Sequence, residues 1–438
     1  MHRRSFIQKT FLATAGMSLL NSFYLSAEVA GTAAVNSVRI EQRILELAKF
    51  GRDANGHGYR VAYTQGDIEG RAWFMNLMKQ AGLDPAIDAG GNIIGTRKGR
   101  NPALKPIAFG SHIDMVPDGG NYDGTLGSIG ALEVIEILNE NKITTEHPLE
   151  VIIFGNEEGG TIGSRAMTSG LTKEGLLQKS QSGLTMAEGI TAIGGRPDDI
   201  AGTVRKKGDI KAFLELHIEQ GGILEKEKIQ IGVVEGIVGI VRWDAMVEGF
   251  ANHAGATPMN MRQDALLAAS KFIVAANEVI NSVPGSQVGT VGKLAVQPGA
   301  YNVIPGKVIL GLEIRDLSAE KIERLFSEIE KRAAAIASAS GTKITFARQA
   351  NESMPALTDK SLQQIIDKTA KSLGFTTKFM QSGAGHDSQH MADIAPVAMI
   401  FIPSIGGISH SPKEFSTTAD MTNGVNVLLN TIMAVDKG

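Results

Sequence analysis

Five short segments of this sequence concentrate residues able to do chemistry. They are Gly110-Ser111-His112-Ile113-Asp114, Asn121-Tyr122-Asp123-Gly124, Gly155-Asn156-Glu157-Glu158-Gly159, Glu215-Leu216-His217-Ile218-Glu219-Gln220-Gly221 and Ser409-His410-Ser411-Pro412-Lys413-Glu414. The chain contains no cysteine. Disulfides, thiolate ligands, iron–sulfur clusters and cysteine nucleophiles are thereby excluded together. Any metal must sit on His, Asp and Glu, and zinc accepts imidazole nitrogen and carboxylate oxygen without thiolate. Two ions about 3.5–4 Å apart need a bridging carboxylate plus terminal His or acidic ligands on each side. His112, Asp123, Glu158, His217 and His410 supply two such sets. Asp114, two residues after His112, can accept the imidazole's other N–H and set its tautomer. Glu157 then has no metal to hold, and a carboxylate beside a metal-activated water is placed to take its proton. Singly, each residue has a plainer explanation. A lone His at a strand end is more often part of the packing, and paired glutamates are usually solvated. The combination carries the argument.

One site requires elements that bring the segments together. Three short apolar runs, Ile107–Phe109, Leu149–Phe154 and Phe213–Leu216, each end at Gly, His or Glu. Buried strands with polar carboxyl tips read this way, and open α/β sheets bind ligands beyond those tips. Ser128–Leu138 supplies a crossover helix between the first two. Ser37 caps a helix through Ile40, Ile44, Leu45 and Leu47, and a second helix runs through Arg71–Ala81 to Gly82. Gly91-Asn92 leads into a strand at Ile93-Ile94.

The rhythm changes between residues 237 and 352. Val241, Trp243, Ala245 and Val247 alternate with Arg242, Asp244, Met246 and Glu248, which predicts a strand. Residues 262–281 read as a helix, and Val288–Val296 and Lys307–Arg315 as strands. Ser318 caps a helix carrying Ile322, Leu325, Phe326, Ile329 and Ile336 at helical spacing, and Lys343–Ala347 is a last strand. This β-α-β-β-α-β order is ferredoxin-like. It interrupts an α/β pattern that resumes near residue 359 with a helix and the run Val397–Ile402. The expectation is an α/β catalytic domain over 35–236 and 353–438, with an inserted α+β lid or dimerisation domain over 237–352.

The 438 residues carry a formal net charge of -3, with 43 basic against 46 acidic side chains. No global basic field favours nucleic acid or anionic lipid. Residues 1–34 stand apart. His2-Arg3-Arg4-Ser5-Phe6-Ile7-Gln8-Lys9 precedes a charge-free stretch from Thr10 to Ala27, which matches a bacterial twin-arginine export signal. Thr, Gly, Ser and Asn within the stretch make it a poor membrane span. The reading is export to the periplasm or beyond, with no stable membrane anchor and no clean cleavage site.

With these motifs the chain resembles the M20 metallopeptidase superfamily, and within it the hydantoinase/carbamoylase branch. That branch includes N-carbamoyl-L-amino-acid hydrolases, allantoate amidohydrolases and β-ureidopropionases. The resemblance runs from about residue 40 to the C-terminus. Besides the segments around His112, His217 and His410, it rests on Asn252-His253-Ala254-Gly255, Asn302-Val303-Ile304-Pro305-Gly306 and Ser382-Gly383-Ala384-Gly385-His386-Asp387. The resemblance implies two divalent ions per subunit, zinc or else manganese, cobalt or nickel. His112, Asp123 and His217 would hold one, and Asp123 would bridge to a second held by Glu158 and His410. Glu157 would be general base and then general acid. His253 would polarise the scissile carbonyl. Gln220, Asn302, Gly383 and Ala384 would bind substrate, and Arg315 its carboxylate. Arg315 has a plainer reading as a strand-end ion pair with Glu313 or Asp316. His386 and His390 are as well placed for an outer or structural role as for touching substrate.

His217, where the peptidase branch has an acidic ligand, points towards ureido or amide substrates. The implied activity is hydrolysis of linear amides, N-carbamoyl-L-amino acids foremost, giving amino acid, ammonia and carbon dioxide. Allantoate or β-ureidopropionate as substrate, an aminoacylase or peptidase, and a non-catalytic metal-binding protein are the alternatives. The resemblance also implies a homodimer in which His253 reaches the partner's metal site.

Overall fold

The computed structural model describes residues 34–350 and 352–438. The expected export segment lies outside the described residues, Ala34 apart. Among the described residues no helix is long and apolar enough to cross a membrane.

Strands β1 (Asp84–Ile87), β2 (Ile93–Arg97), β3 (Ile107–His112), β4 (Leu149–Phe154), β5 (Ala212–Ile218) and β6 (Ile231–Ile237) open a large sheet. The chain then builds a second sheet from β7 (Gly239–Glu248), β8 (Val288–Gln297), β9 (Lys307–Asp316) and β10 (Lys343–Arg348). It returns to the first with β11 (Ala356–Leu357), β12 (Thr377–Ser382) and β13 (Val397–Ile402). The large sheet runs β1-β2-β4-β3-β5-β13-β6-β11, and β12 also pairs with β6. Within it β4, β3, β5 and β13 are parallel neighbours, so their carboxyl ends share one edge.

Those four strands are buried along nearly their whole length. The crossover helix Thr125–Glu140 and the C-terminal helix Thr418–Lys437 pack against them. Cover on the faces explains why they are mainly apolar rather than alternating. The crossover helix lies very close to β5. A Cβ added at Gly127 would stand 2.2 Å from the Leu216 carbonyl oxygen, so only glycine allows that approach.

The second sheet has the order β10-β7-β9-β8 with every neighbour antiparallel. Helices Ala265–Ser282 and Ala319–Ser340 pack on it, which completes the ferredoxin-like arrangement. Its strands alternate because one face is packed. Val241, Trp243, Ala245 and Val247 are buried between partly exposed neighbours. Trp243 stacks on Phe326 with ring centroids 4.0 Å apart, and Phe272, Leu310 and Ile329 fill the same core. β8 is an edge strand whose Val288 and Leu294 are about half exposed.

Several boundaries differ from the sequence expectation. Asn36, not Ser37, caps the first helix, its Oδ1 accepting the Arg39 amide at 3.1 Å. Asn and Ser cap about equally well. The choice is made from outside, because the buried Glu133 accepts the Asn36 amide at 2.7 Å and holds it extended. The second helix starts at Gln65 rather than Arg71. Gly66 and Gly70 hide its first turns, since glycine is a poor helix former. Asp264 caps the helix that begins at Ala265, accepting the Leu266 and Leu267 amides, so Arg262 stays outside. β6 and β12 were not anticipated. Gly232 and Gly236 interrupt the first, and Thr377, Lys378 and Gln381 make the second too polar to stand out.

The first helix is locked to the crossover helix by Arg39. Its Nε and Nη2 donate to the two Glu133 oxygens at 2.6 and 2.8 Å, and Glu133 is fully buried. Removing one partner of such a pair strands a buried charge. Arg39→Met is expected to cost about 3 kcal/mol, the lower end of that class, because Arg39 is partly exposed. A urea unfolding curve with unchanged midpoint would contradict this.

Candidate metal centre

The shared edge of the parallel strands collects the proposed ligands. His112 ends β3, His217 sits near the end of β5, and Glu157 and Glu158 follow β4. Asp123 precedes the crossover helix, and His410 comes from the loop after β13. Asp123 Oδ1 lies 3.5 Å from His112 Nε2 and 3.2 Å from His217 Nε2. Asp123 Oδ2 lies 3.3 Å from His410 Nε2, which is itself 3.5 Å from Glu158 Oε2. Donors bound at the usual zinc distances around a tetrahedral ion stand about 3.3 Å apart. Each set therefore matches one ion, and the two oxygens of Asp123 belong to different sets. Glu158 Oε1 is buried without a hydrogen-bond partner, which a cation would relieve. The residues fit two divalent ions.

The charges are tightly balanced. Burial alone would raise the Asp123 carboxyl, but His112, His217 and His410 hold it well below the usual carboxylate range. Burial pushes Glu157 well above its ordinary value, and Asp387, Glu158 and Asp114 add to this against His112. Burial and Asp123 push Glu158 up to about 7 against His112 and His410. The bond to Asp123, with Glu158 nearby, raises His410 to about 9 despite its burial. Glu157 Oε2 lies 3.7 Å from His112 Nε2, and Glu157 joins neither ligand set.

Local structure holds the ligands in place. Gly124 has φ +61°, and a Cβ there would strike the His112 ring at 2.3 Å. A glycine is required both for the turn and for the imidazole above it. The His217 Nδ1 bonds the Ile218 carbonyl at 2.9 Å, which puts Nε2 beside Asp123, where it also accepts the Gly124 amide at 3.2 Å. Asp114 departs from expectation. The His112 Nδ1 bonds the backbone carbonyl of Asp114 at 3.1 Å, while its carboxylate stands 3.6 Å away. That carboxylate instead accepts the Glu157 and Glu158 amides at 3.2 and 3.1 Å. Its two oxygens are satisfied by the turn that carries both glutamates, so the histidine takes the carbonyl. Gln220 turns its Nε2 to Asp123 Oδ2 at 2.6 Å, and its Oε1 is buried without a partner.

The remaining residues are more dispersed. His253 is exposed on a loop beyond β7. Its Nδ1 accepts the Gly255 and Ala256 amides at 3.1 and 3.0 Å, which leaves the ring proton on Nε2. Asn302 is exposed beside it, its carbonyl accepting the Ala254 amide at 2.9 Å. Among the described residues neither side chain makes a polar contact with the metal ligands of its own chain. Arg315 donates from Nε to Glu313 at 2.7 Å and from Nη1 to the Gly383 carbonyl at 2.7 Å. The plainer ion-pair reading is thus present, and the same arginine ties the second sheet to the loop of Gly383 and Ala384 after β12.

His386 and His390 are set behind the ligands. His386 is buried edge-on to His217 at 4.5 Å, with its Nε2 on the Ser382 hydroxyl at 2.8 Å. Burial pushes it well below its ordinary value. His390 bonds the Thr161 hydroxyl at 2.8 Å, and burial pushes it down to about 4. Glu215, His217 and His386 also lie close enough together to hold an ion. However, Ser111 and Ser388 already occupy the Glu215 oxygens. Glu414 received no role from the sequence. Its only signal there is an acidic side chain four residues after His410, yet it contacts two ligand loops.

A family model described as peptidase family M20/M25/M40 matches residues 108–434. An N-carbamoyl-L-amino acid amidohydrolase of Geobacillus stearothermophilus is 38% identical over 92% of this chain and 100% of its own length. A ureidoglycolate hydrolase of Arabidopsis thaliana is 37% identical over 93% of this chain and 88% of its own. The crystal structure of a hydantoinase/carbamoylase family amidase from Burkholderia multivorans superposes with a TM-score of 0.87 at 33% identity, covering 93% of this chain and 99% of that one. Matched by the family model over most of its length and by these relatives over more than nine-tenths, the chain belongs to peptidase family M20/M25/M40 and, within it, to the hydantoinase/carbamoylase branch.

Proposed function

We propose that the chain is an amidohydrolase of linear amides whose main substrates are N-carbamoyl-L-amino acids. Water and the carbamoyl group yield amino acid, ammonia and carbon dioxide. The observation that carries the reading is Asp123, whose two oxygens serve two donor sets beside an unliganded Glu157. His112, Asp123 and His217 would hold one divalent ion, and Asp123, Glu158 and His410 a second. Zinc, manganese, cobalt and nickel all suit such donors. When bound, these ions would polarise the scissile carbonyl and activate a water. Glu157, buried beside the two donor sets without belonging to either, takes the water's proton and returns it to the leaving nitrogen. The free Gln220 Oε1 accepts an N–H of the ureido group.

The reading takes two chains to pair through the second sheet, so that His253 and Asn302 of one complete the other's site. The exposed β8 edge and the outward Nε2–H of His253 support this. It also takes Arg3-Arg4 to direct export to the periplasm or beyond. Replacing both with Lys is expected to retain the protein in the cytoplasm, which cell fractionation reads.

A substrate panel tests the function. Ammonia release is expected from N-carbamoyl-L-amino acids above allantoate, ureidoglycolate and β-ureidopropionate, with little cleavage of N-acyl amino acids or dipeptides. Ammonia from none of the ureido compounds overturns the reading. Ureidoglycolate is the second reading, favoured by the likeness to the Arabidopsis enzyme. Arg315 supplies a further check. Its planar fork matches a carboxylate and lysine's point charge does not. Arg315→Lys is expected to raise KM for carboxylate substrates far more than for their carboxamides. Equal changes would leave Arg315 only its bonds to Glu313 and Gly383.

A further inference from the structure

We propose that Glu414 is a positioning residue for the second metal subsite, a single carboxylate that sets the spacing of Asp123 and His410. The proposal rests on the two-ion reading above. Glu414 Oε1 accepts the backbone amides of Tyr122 and Asp123 at 2.8 and 3.0 Å. Its Oε2 accepts the Ser409 hydroxyl at 2.8 Å and the His410 amide at 3.3 Å. Two loops almost 300 residues apart in sequence are thus joined through one side chain. Glu414 is 4% exposed, and its charge acts on the neighbouring His410, whose pKa it helps to raise. The four donors are what compensate its burial.

The surroundings are shaped to this clamp. Gly120 leaves room for it, since a Cβ there would lie 2.3 Å from Glu414 Oε1. His410 adopts φ +52°, a left-handed backbone that few non-glycine residues hold without support. Its amide bond to Glu414, and the Glu414 amide on the Ser411 carbonyl at 3.0 Å, close that turn. The His410 side chain is half exposed, so packing alone does not hold it. His112 and His217 differ, because they ride on β3 and β5 and are fully buried. The clamp therefore bears on two members of the Asp123–Glu158–His410 set, whereas it reaches the His112–Asp123–His217 set only through Asp123, the two histidines being held by the sheet.

The geometry also says which replacements fail. Both oxygens are acceptors facing two donors each. Glu414→Gln keeps the shape but turns an NH2 group towards one pair of donors. Glu414→Asp keeps the charge, but one methylene less prevents it from spanning both loops.

The full-length chain, stripped of metal, would be titrated with Co²⁺ and followed by calorimetry and visible absorption. Wild type is expected to take two ions and His410→Ala one. Glu414→Gln is expected to bind the first ion as wild type does and the second about tenfold more weakly or worse, the usual range for a lost supporting contact. Should Glu414→Gln fail to fold by circular dichroism, Glu414→Asp makes the same measurement, with the same selective loss expected. Two ions held as tightly as in wild type would overturn the clamp while leaving the two-ion reading intact. Equal weakening of both ions would also overturn it, because a general structural role has no preference between subsites. A wild-type chain that binds one ion overturns the two-ion reading and the clamp with it.

Discussion

Glu157→Gln is expected to retain both ions and the folded state while turnover falls by about 10²–10⁴-fold, the usual worth of a positioned general acid–base group. Glutamine occupies the same volume at the end of β4 but cannot take a proton. Glu157 belongs to neither donor set, so metal content, read by elemental analysis, should not change. Its backbone stays in place because Asp114 holds the amides of residues 157 and 158. The neighbouring Glu158→Gln is the contrasting variant. It should lose metal first, with turnover following occupancy. Near-normal turnover in Glu157→Gln would remove the residue from the mechanism, whatever its pKa.

His253→Ala is expected to bind metal normally and lose about 10²–10³-fold in turnover, the cost of deleting one donor to a developing oxyanion. The ring is prepared for that task, because two backbone amides occupy Nδ1 and leave Nε2–H pointing outward. Among the described residues it makes no polar contact with the proposed metal ligands of its own chain. If it acts across a dimer, inactive His253→Ala and inactive Glu157→Gln chains should complement each other. A mixed dimer has one site with both lesions and one with neither. Random re-association of equal amounts then restores about a quarter of wild-type activity, by the symmetry of a two-fold pair. Proven subunit exchange without recovery would place each site within one chain. Full activity of His253→Ala would end the oxyanion role.

Much of this architecture was legible from local pattern. Leu149–Phe154, apolar but for Glu150, and the wholly apolar Val397–Ile402 are both strands over those same residues. The alternation at Val241–Val247 likewise reports a sheet with one packed face. The proposed metal ligands stand out in the sequence because imidazole and carboxylate groups at strand tips are chemically unusual. Asp114 departs from its sequence reading because a residue name does not say whether its carbonyl or its carboxylate will meet a histidine. Glu414 was passed over because its partners, Tyr122 and Asp123, lie across the whole chain. The roles of His386 and His390 depended on burial, which a polar side chain's sequence position does not reveal. Asn36 displaced Ser37 for a similar reason, since the buried Glu133 that selects it sits on another helix.

The bridging position of Asp123 also orders events during synthesis. His112, Asp123 and His217 leave the ribosome before the second sheet exists, so the first donor set can assemble early on β3 and β5. Glu158 must wait for His410, about 190 residues after His217. At ordinary translation rates that interval is roughly 10–40 s. On the two-ion proposal, a nascent chain would first present the donors for one ion, and only the finished polypeptide would present those for both. On the same proposal, a message truncated before His410 would yield a chain with one complete donor set and half of the other.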